Sequence, residues 1–181
     1  MNTMLNRTIL ALVIAPVLLV SACNSGGGDK ATAAGPSTDV KLEIKSLDEI
    51  DAAIKAHAGK VVVVDTWSTQ CEPCMKEFPG LVALHKKHGD KVACISVSCD
   101  FEGLGAPEKV APPVLKFLQE QKATFQNFLS KDDSDKVFAR FKIPSIPAVF
   151  IYGKDGQLAE KIARDFSYEK DVNPAVEKLL K

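Results

Sequence analysis

The stretch that most constrains this chain is Val61-Val62-Val63-Val64-Asp65-Thr66-Trp67, which runs into Cys71-Glu72-Pro73-Cys74. A continuous β-branched run reads as a strand buried on both faces. The residues after Cys71 show helical periodicity through Leu81, Leu84 and His88, with Gly89 as the stop. Two cysteines three residues apart on a helix lie about 4.5 Å apart along the axis and on neighbouring faces. A pair at that spacing can hold metal, a structural disulfide or a redox couple. The strand-then-helix context favours the redox couple.

The first residues read as a targeting segment. Arg7 is the lone early charge, and Thr8 to Val20 is an apolar run interrupted only by Pro16. That run is too short to span a bilayer comfortably, so residues 1–22 are expected to be a signal peptide. Val20-Ser21-Ala22-Cys23 resembles a bacterial lipobox, which implies that Cys23 is lipidated and becomes the first residue of the mature chain. Several acyl chains anchor stably where one binds marginally. Residues 24–39 are rich in Gly, Ser, Ala and Thr and read as a flexible linker, so residues 23–39 form a tether. Residues 40–181 then form one folded domain. Without residues 1–22 the chain has 22 basic against 23 acidic residues, because Arg7 is the only charge removed from a total of 23 each. No basic excess suggests a nucleic-acid partner.

Within the domain, Val40 to Lys45 reads as a short strand and Ser46 with Glu49 as a capping box opening a helix to about Gly59. Lys91 to Ser98 is a second buried strand. A helix follows Pro112-Pro113, and Thr124 to Leu129 is a strand. Ser134 caps a helix to Phe141. Ala148 to Tyr152 and Gln157 to Ala163 pair across Gly153-Lys154-Asp155-Gly156, and Pro174 opens a last helix. This order predicts an α/β fold, a central mixed sheet covered by helices on both faces.

The ordered features Asp65-Thr66-Trp67-Ser68-Thr69-Gln70-Cys71-Glu72-Pro73-Cys74, Pro79, and Ile146-Pro147 before a strand resemble the thioredoxin superfamily. Within it the chain is similar to the TlpA/ResA-type membrane-anchored thiol-disulfide oxidoreductases. Gly103 to Phe128 looks like the central helical insertion of that group, and Val40 to Lys45 becomes its N-terminal extension strand. The resemblance implies a cis Ile146-Pro147 bond facing a Cys71–Cys74 disulfide. It also implies substrate contacts at Trp67, Glu72, Pro73, Ile146 and Pro147. Gln70 departs from the aromatic residue that frequently precedes the first cysteine. The family further implies protein disulfide substrates such as apocytochrome c, a membrane thiol carrier as electron donor, and a monomeric, extracytoplasmic domain tethered to the membrane.

The residues themselves suggest roles. Cys71 at a helix N-terminus meets free N–H groups and the helix dipole, which favour its thiolate as the nucleophile. Cys74, one turn inward, can resolve the mixed disulfide. Asp65, an acid in an apolar strand, should have a raised pKa suited to proton transfer. Glu72 and Asp65 both disfavour a thiolate, which tilts the couple toward reduction. Cys94 reads as a buried small hydrophobe. Cys99 lies at a strand exit, expected at the same sheet edge as Cys71, and is a candidate third redox thiol. Alternating side-chain directions argue against a Cys94–Cys99 disulfide. His85 and His88 read as a solvated polar face, not a metal site, and no cofactor is expected. The competing reading is a redox-silent or metal-delivering thioredoxin-fold binding protein. A peroxiredoxin-type peroxidase lacks its Thr-x-x-Cys spacing here, and a copper chaperone of this fold would need Cys-x-x-x-Cys.

Overall fold

The computed structural model of the chain describes residues 39–181. The signal peptide, the lipidation site Cys23 and nearly all of the tether expected from the sequence lie outside the described residues. In chain order the elements are β1 (Glu43–Lys45), α1 (Leu47–Lys55), β2 (Val61–Trp67), α2 (Glu72–His88), β3 (Val92–Ser98) and α3 (Ala111–Gln121). They are followed by β4 (Gln126–Ser130), α4 (Ser134–Phe141), β5 (Ala148–Tyr152), β6 (Leu158–Ala163) and α5 (Asn173–Leu180). No helix among the described residues is long and apolar enough to cross a membrane.

The strands form one six-stranded sheet in the order β1-β4-β3-β2-β5-β6. The β1, β4, β3 and β2 strands run parallel, and β5 and β6 run antiparallel to their neighbours. Every residue of β2 is buried, as its β-branched run requires of a central strand. The side chains of β2 alternate between two apolar layers. Val61, Val63 and Trp67 join a layer built with α2, α3 and α5, through residues such as Phe78, Val114 and Val176. Val62 and Val64 join a second layer built with α1 and α4, through Ile50 and Val137. Fully burying one such valine contributes roughly 1.5–3 kcal/mol, so this strand alone carries much of the fold's stability.

The insertion expected over Gly103 to Phe128 comprises a short 3₁₀ turn at Pro107–Lys109, the helix α3 and the start of β4. Its strand lies between β1 and β3, which leaves β1 at the sheet edge. The helix begins at Ala111, so Pro112 and Pro113 occupy its first turn, where no N–H is needed.

Several strand ends shift by one to three residues, with β1 beginning at Glu43 and β4 at Gln126, and two helix boundaries differ from the sequence reading for a local reason. The capping box is present, with Glu49 N–H on Ser46 Oγ at 3.3 Å and Ser46 N–H on Glu49 Oε2 at 2.8 Å. The helix it opens ends at Lys55, short of Gly59, because His57 and Ala58 N–H groups turn to the carbonyls of Ile54 and Lys55 three residues back. The cap of α4 is Asp133, whose Oδ1 accepts from Lys136 N–H at 2.9 Å, and Ser134 is the first helical residue. A carboxylate there also complements the positive end of the helix dipole.

Candidate active site

The site gathers at the carboxyl ends of β2 and β3, where the chain leaves the sheet to enter α2. Cys71 is the N-cap of α2, and its Sγ accepts a hydrogen bond from Cys74 N–H at 3.3 Å. The two cysteines form a disulfide with their Cα atoms 5.2 Å apart. Cys71 is half-buried and Cys74 is buried one turn inside the helix. The outer sulfur is therefore the one a partner protein can reach.

Glu72 and Pro73, the first residues of α2, are both exposed beside Cys71. The Ile146-Pro147 peptide bond is cis. Pro147 directly precedes Ala148, which pairs with Thr66, and Thr66 Oγ1 donates to Ala148 O at 2.9 Å. The β2–β5 register therefore brings Pro147 to the end of β2. Pro147 O accepts from Arg164 N–H at 3.1 Å, whereas the backbone groups of Ile146 have no partner among the described residues. A cleft of about 330 Å³ runs along this edge, lined by Pro73, Lys76, Pro147, Arg164, Phe166 and Lys170 among others. Arg164 adopts a left-handed backbone, with φ at 71°, at the rim of that cleft.

Trp67, expected among the substrate contacts, is 0% exposed. Its ring packs on Phe78 and Phe117, each with centroids 4.8 Å away. It forms the floor behind the disulfide and is not open to a substrate. The difference follows from the odd positions of β2, which all point into the layer beneath α2.

Asp65 points into that same layer and is only 3% exposed. Burial pushes its carboxyl group up to about 7, partly offset by a hydrogen bond from Tyr168 and reinforced by the nearby charge of Glu77. The Tyr168 hydroxyl donates to Asp65 Oδ2 at 2.6 Å. Tyr168 sits on a π-helical turn, Tyr168–Val172, ahead of α5, and its own backbone N–H donates to Glu77 Oε2 at 3.2 Å.

A second acid organises the loop before Cys71. Asp100 accepts from Ser98 Oγ at 2.6 Å, Ser68 Oγ at 3.1 Å and Thr69 N–H at 3.0 Å, and it also accepts a hydrogen bond from the Thr69 hydroxyl. Sequence reasoning missed Tyr168, Asp100 and Glu77. Glu77 carried a signal, because it lies three residues after Cys74 on one helix face. Tyr168 carried none, being 103 residues from its partner.

The other thiols are set apart from the disulfide. Cys94 lies on the α2 side of the sheet, and burial with the Asp65 charge pushes its thiol far up. Cys99 lies on the opposite side, among the residues packed by α1 and α4, and burial pushes it up to about 12. The strand exit places Cys99 N–H on Trp67 O at 2.8 Å but turns its sulfur away from the Cys71 layer. His85 differs from the expected solvated face: its ring is half-buried edge-on against Phe125, with centroids 5.3 Å apart, and burial lowers its pKa. Among the described residues no group of three or more His, Cys, Asp or Glu side chains could hold a metal ion.

A family model described as thioredoxin-like matches residues 59–158. The chain is 24% identical over 170 residues to the thiol-disulfide oxidoreductase ResA of Bacillus cereus, covering 93% of this chain and 92% of that protein. It is 26% identical over 119 residues to the thioredoxin-like protein YneN of Bacillus subtilis, covering 66% and 65%. Among solved structures, the thioredoxin domain of a thiol-disulfide oxidoreductase from Bacteroides vulgatus superposes with a TM-score of 0.55 at 26% identity, over 70% of this chain and 83% of that one. A thiol:disulfide interchange protein from Chlorobium tepidum superposes with a TM-score of 0.57 at 20% identity, over 72% and 85%, and shares the fold. With more than half of the chain inside the family model and ResA aligned along nearly all of it, the chain belongs to the thioredoxin-like family as a ResA-type thiol-disulfide oxidoreductase.

Proposed function

We propose that this oxidoreductase works as a reductant of disulfides in exported proteins. The carrying observation is the Cys71–Cys74 pair at the start of α2, with the buried acid Asp65 in the layer behind it and the free backbone of Ile146 beside it. In the reduced protein the Cys71 thiolate attacks one sulfur of a substrate disulfide. A mixed disulfide forms and the first substrate thiolate leaves. Cys74 gives its proton to Asp65 and attacks Cys71 Sγ, which releases the second substrate thiolate and leaves the Cys71–Cys74 disulfide. Two electrons pass to the substrate.

The substrate chain lies along Glu72, Pro73, Ile146 and Pro147. Because Pro147 O is already held by Arg164 N–H, the main-chain hydrogen bonds to substrate fall to Ile146. Two acids near the couple, Glu72 and Asp65, disfavour a stabilised thiolate, which supports the reducing direction. The lipobox-like segment ending at Cys23 supports an extracytoplasmic, lipid-tethered domain recharged by a membrane thiol carrier. Apocytochrome c is the substrate that the resemblance suggests.

Replacing Cys71 with Ser should abolish the protein's acceleration of insulin reduction by dithiothreitol, and undiminished acceleration would overturn the assignment. A measured potential closer to about −270 mV, as in thioredoxin, than to about −120 mV, as in DsbA, is expected. Globomycin treatment of cells expressing the full chain should block its maturation if Cys23 is lipidated.

A further inference from the structure

Among the described residues, Asp65 is buried without a cation beside it. The titratable groups that face it are Tyr168 from the π-helical turn, Glu77 from α2 and Cys94 from β3, with Cys74 of α2 in the same layer; Cys99, at the exit of β3, feels its charge from the other side of the sheet. None of these supplies positive charge. The Tyr168 hydroxyl, at 2.6 Å from Oδ2, is the hydrogen-bond donor to this carboxyl group among the described residues, and Oδ1 is left without one. The phenol donates to this carboxylate, so the contact favours the ionised form and leaves Oδ1 as the oxygen without a hydrogen-bond donor.

Tyr168 is itself held by several independent contacts. Its ring lies where a Cβ on Gly80 would be, 2.3 Å from both Tyr168 Cβ and Cγ. Only a glycine in α2 allows the aromatic ring so close to the helix that carries both cysteines. Its backbone N–H is tied to Glu77, on the same helix, and Phe166 packs edge-on to it with centroids 5.9 Å apart. The residue that touches the acid is thereby braced against the helix that carries the resolving thiol.

We propose that Tyr168 is a positioning residue for thiol exchange: its hydroxyl orients the Asp65 carboxyl group, so that Asp65 takes the proton Cys74 loses before attacking the mixed disulfide. This rests on the reading of Asp65 as the proton partner of Cys74. In that step the Cys74 S–H bond breaks and the proton goes to Asp65. The Cys74–Cys71 S–S bond forms, the bond from Cys71 to the substrate sulfur breaks, and its electron pair leaves with the substrate thiolate.

The test uses reduced full-length protein with Ellman's reagent, whose first thiolate release reports Cys71 and whose second reports Cys74. In Tyr168→Phe the ring and its packing remain and only the hydroxyl is lost. The pH at which the second release reaches half its maximum should rise by about one unit, since a hydrogen bond to a charged group is worth about that much. The first release should keep its profile. Difference infrared titration of the Asp65 carboxyl band, assigned against Asp65→Asn, should show the same upward shift. An unmoved carboxyl titration overturns the proposal. A second release that is identical in Asp65→Asn and wild type overturns the reading of Asp65 itself, whatever the titration shows. In the Asp65→Asn background the added Tyr168→Phe substitution should change the second release little. A loss there as large as in the wild-type background marks a purely structural role and overturns the proposal.

Discussion

Asp65 sets a pH dependence of stability that can be derived from its burial. Its folded value, about 7, lies well above the unfolded value for a carboxyl group, so the folded state holds the proton more tightly. This contribution is fully present below about pH 4 and is lost as pH rises through about 7, above which it stays lost. Asp65→Asn removes the burden of an ionised group. The stability difference between variant and wild type should therefore grow across that window and level off above it, by on the order of 4 kcal/mol at most. Urea unfolding at several pH values measures it, and a difference constant with pH would show that Asp65 is not buried as described. Gly80 gives a second prediction at this scale. A methyl group there would meet Tyr168 at 2.3 Å, so Gly80→Ala should destabilise the fold by roughly 1–3 kcal/mol, despite the higher helix propensity of alanine. Thermal unfolding checks it, and unchanged stability would mean that Tyr168 can swing aside freely.

At the scale of elements, the loop from β2 to α2 is held from β3 by Asp100. The carboxylate gathers Ser68, Thr69 and Ser98, so four donors, two of them from Thr69, lose their acceptor in Asp100→Ala. The variant should lose roughly 1–3 kcal/mol of stability and present Cys71 from a looser loop, raising the spread of its alkylation kinetics. A loop whose amide exchange at Thr69 is as slow in the variant as in wild type would contradict this. The same elements show what a sequence can carry. Val61 to Val64 announced a doubly buried strand because only that environment suits four adjacent β-branched side chains. The capping box at Ser46 was legible because both its partners are local. Asp133 and Ser134 were not separable, since either can cap and only the backbone angle at the helix entrance decides. The burial of Trp67 followed from strand parity, which was readable, but its family role as a neighbour of the site suggested contact with substrate. Tyr168 and Asp100 stayed hidden because their partners are set by sheet register and by the packing of the last turn, neither of which leaves a periodic trace.

Across the whole molecule, burial separates the spare thiols from the accessible sulfur of the reactive pair, and the sheet further separates Cys99. Cys71 and Cys74 sit at the edge where α2 begins, while Cys94 and Cys99 are buried in the two layers that hold the domain together. Both layers share β2 and β3, so neither can open without loss of the central strand pair. Iodoacetamide should therefore label Cys71 rapidly in the reduced native protein, whereas Cys94 and Cys99 should react only through global unfolding. Their labelling rates should match each other and rise with urea along the slope of the equilibrium unfolding curve. Peptide mass mapping after timed quenching distinguishes the sites. Labelling of Cys99 in native buffer at a rate near that of Cys71 would show that the α1 and α4 layer opens on its own, and would return Cys99 to the redox chemistry from which its burial now removes it.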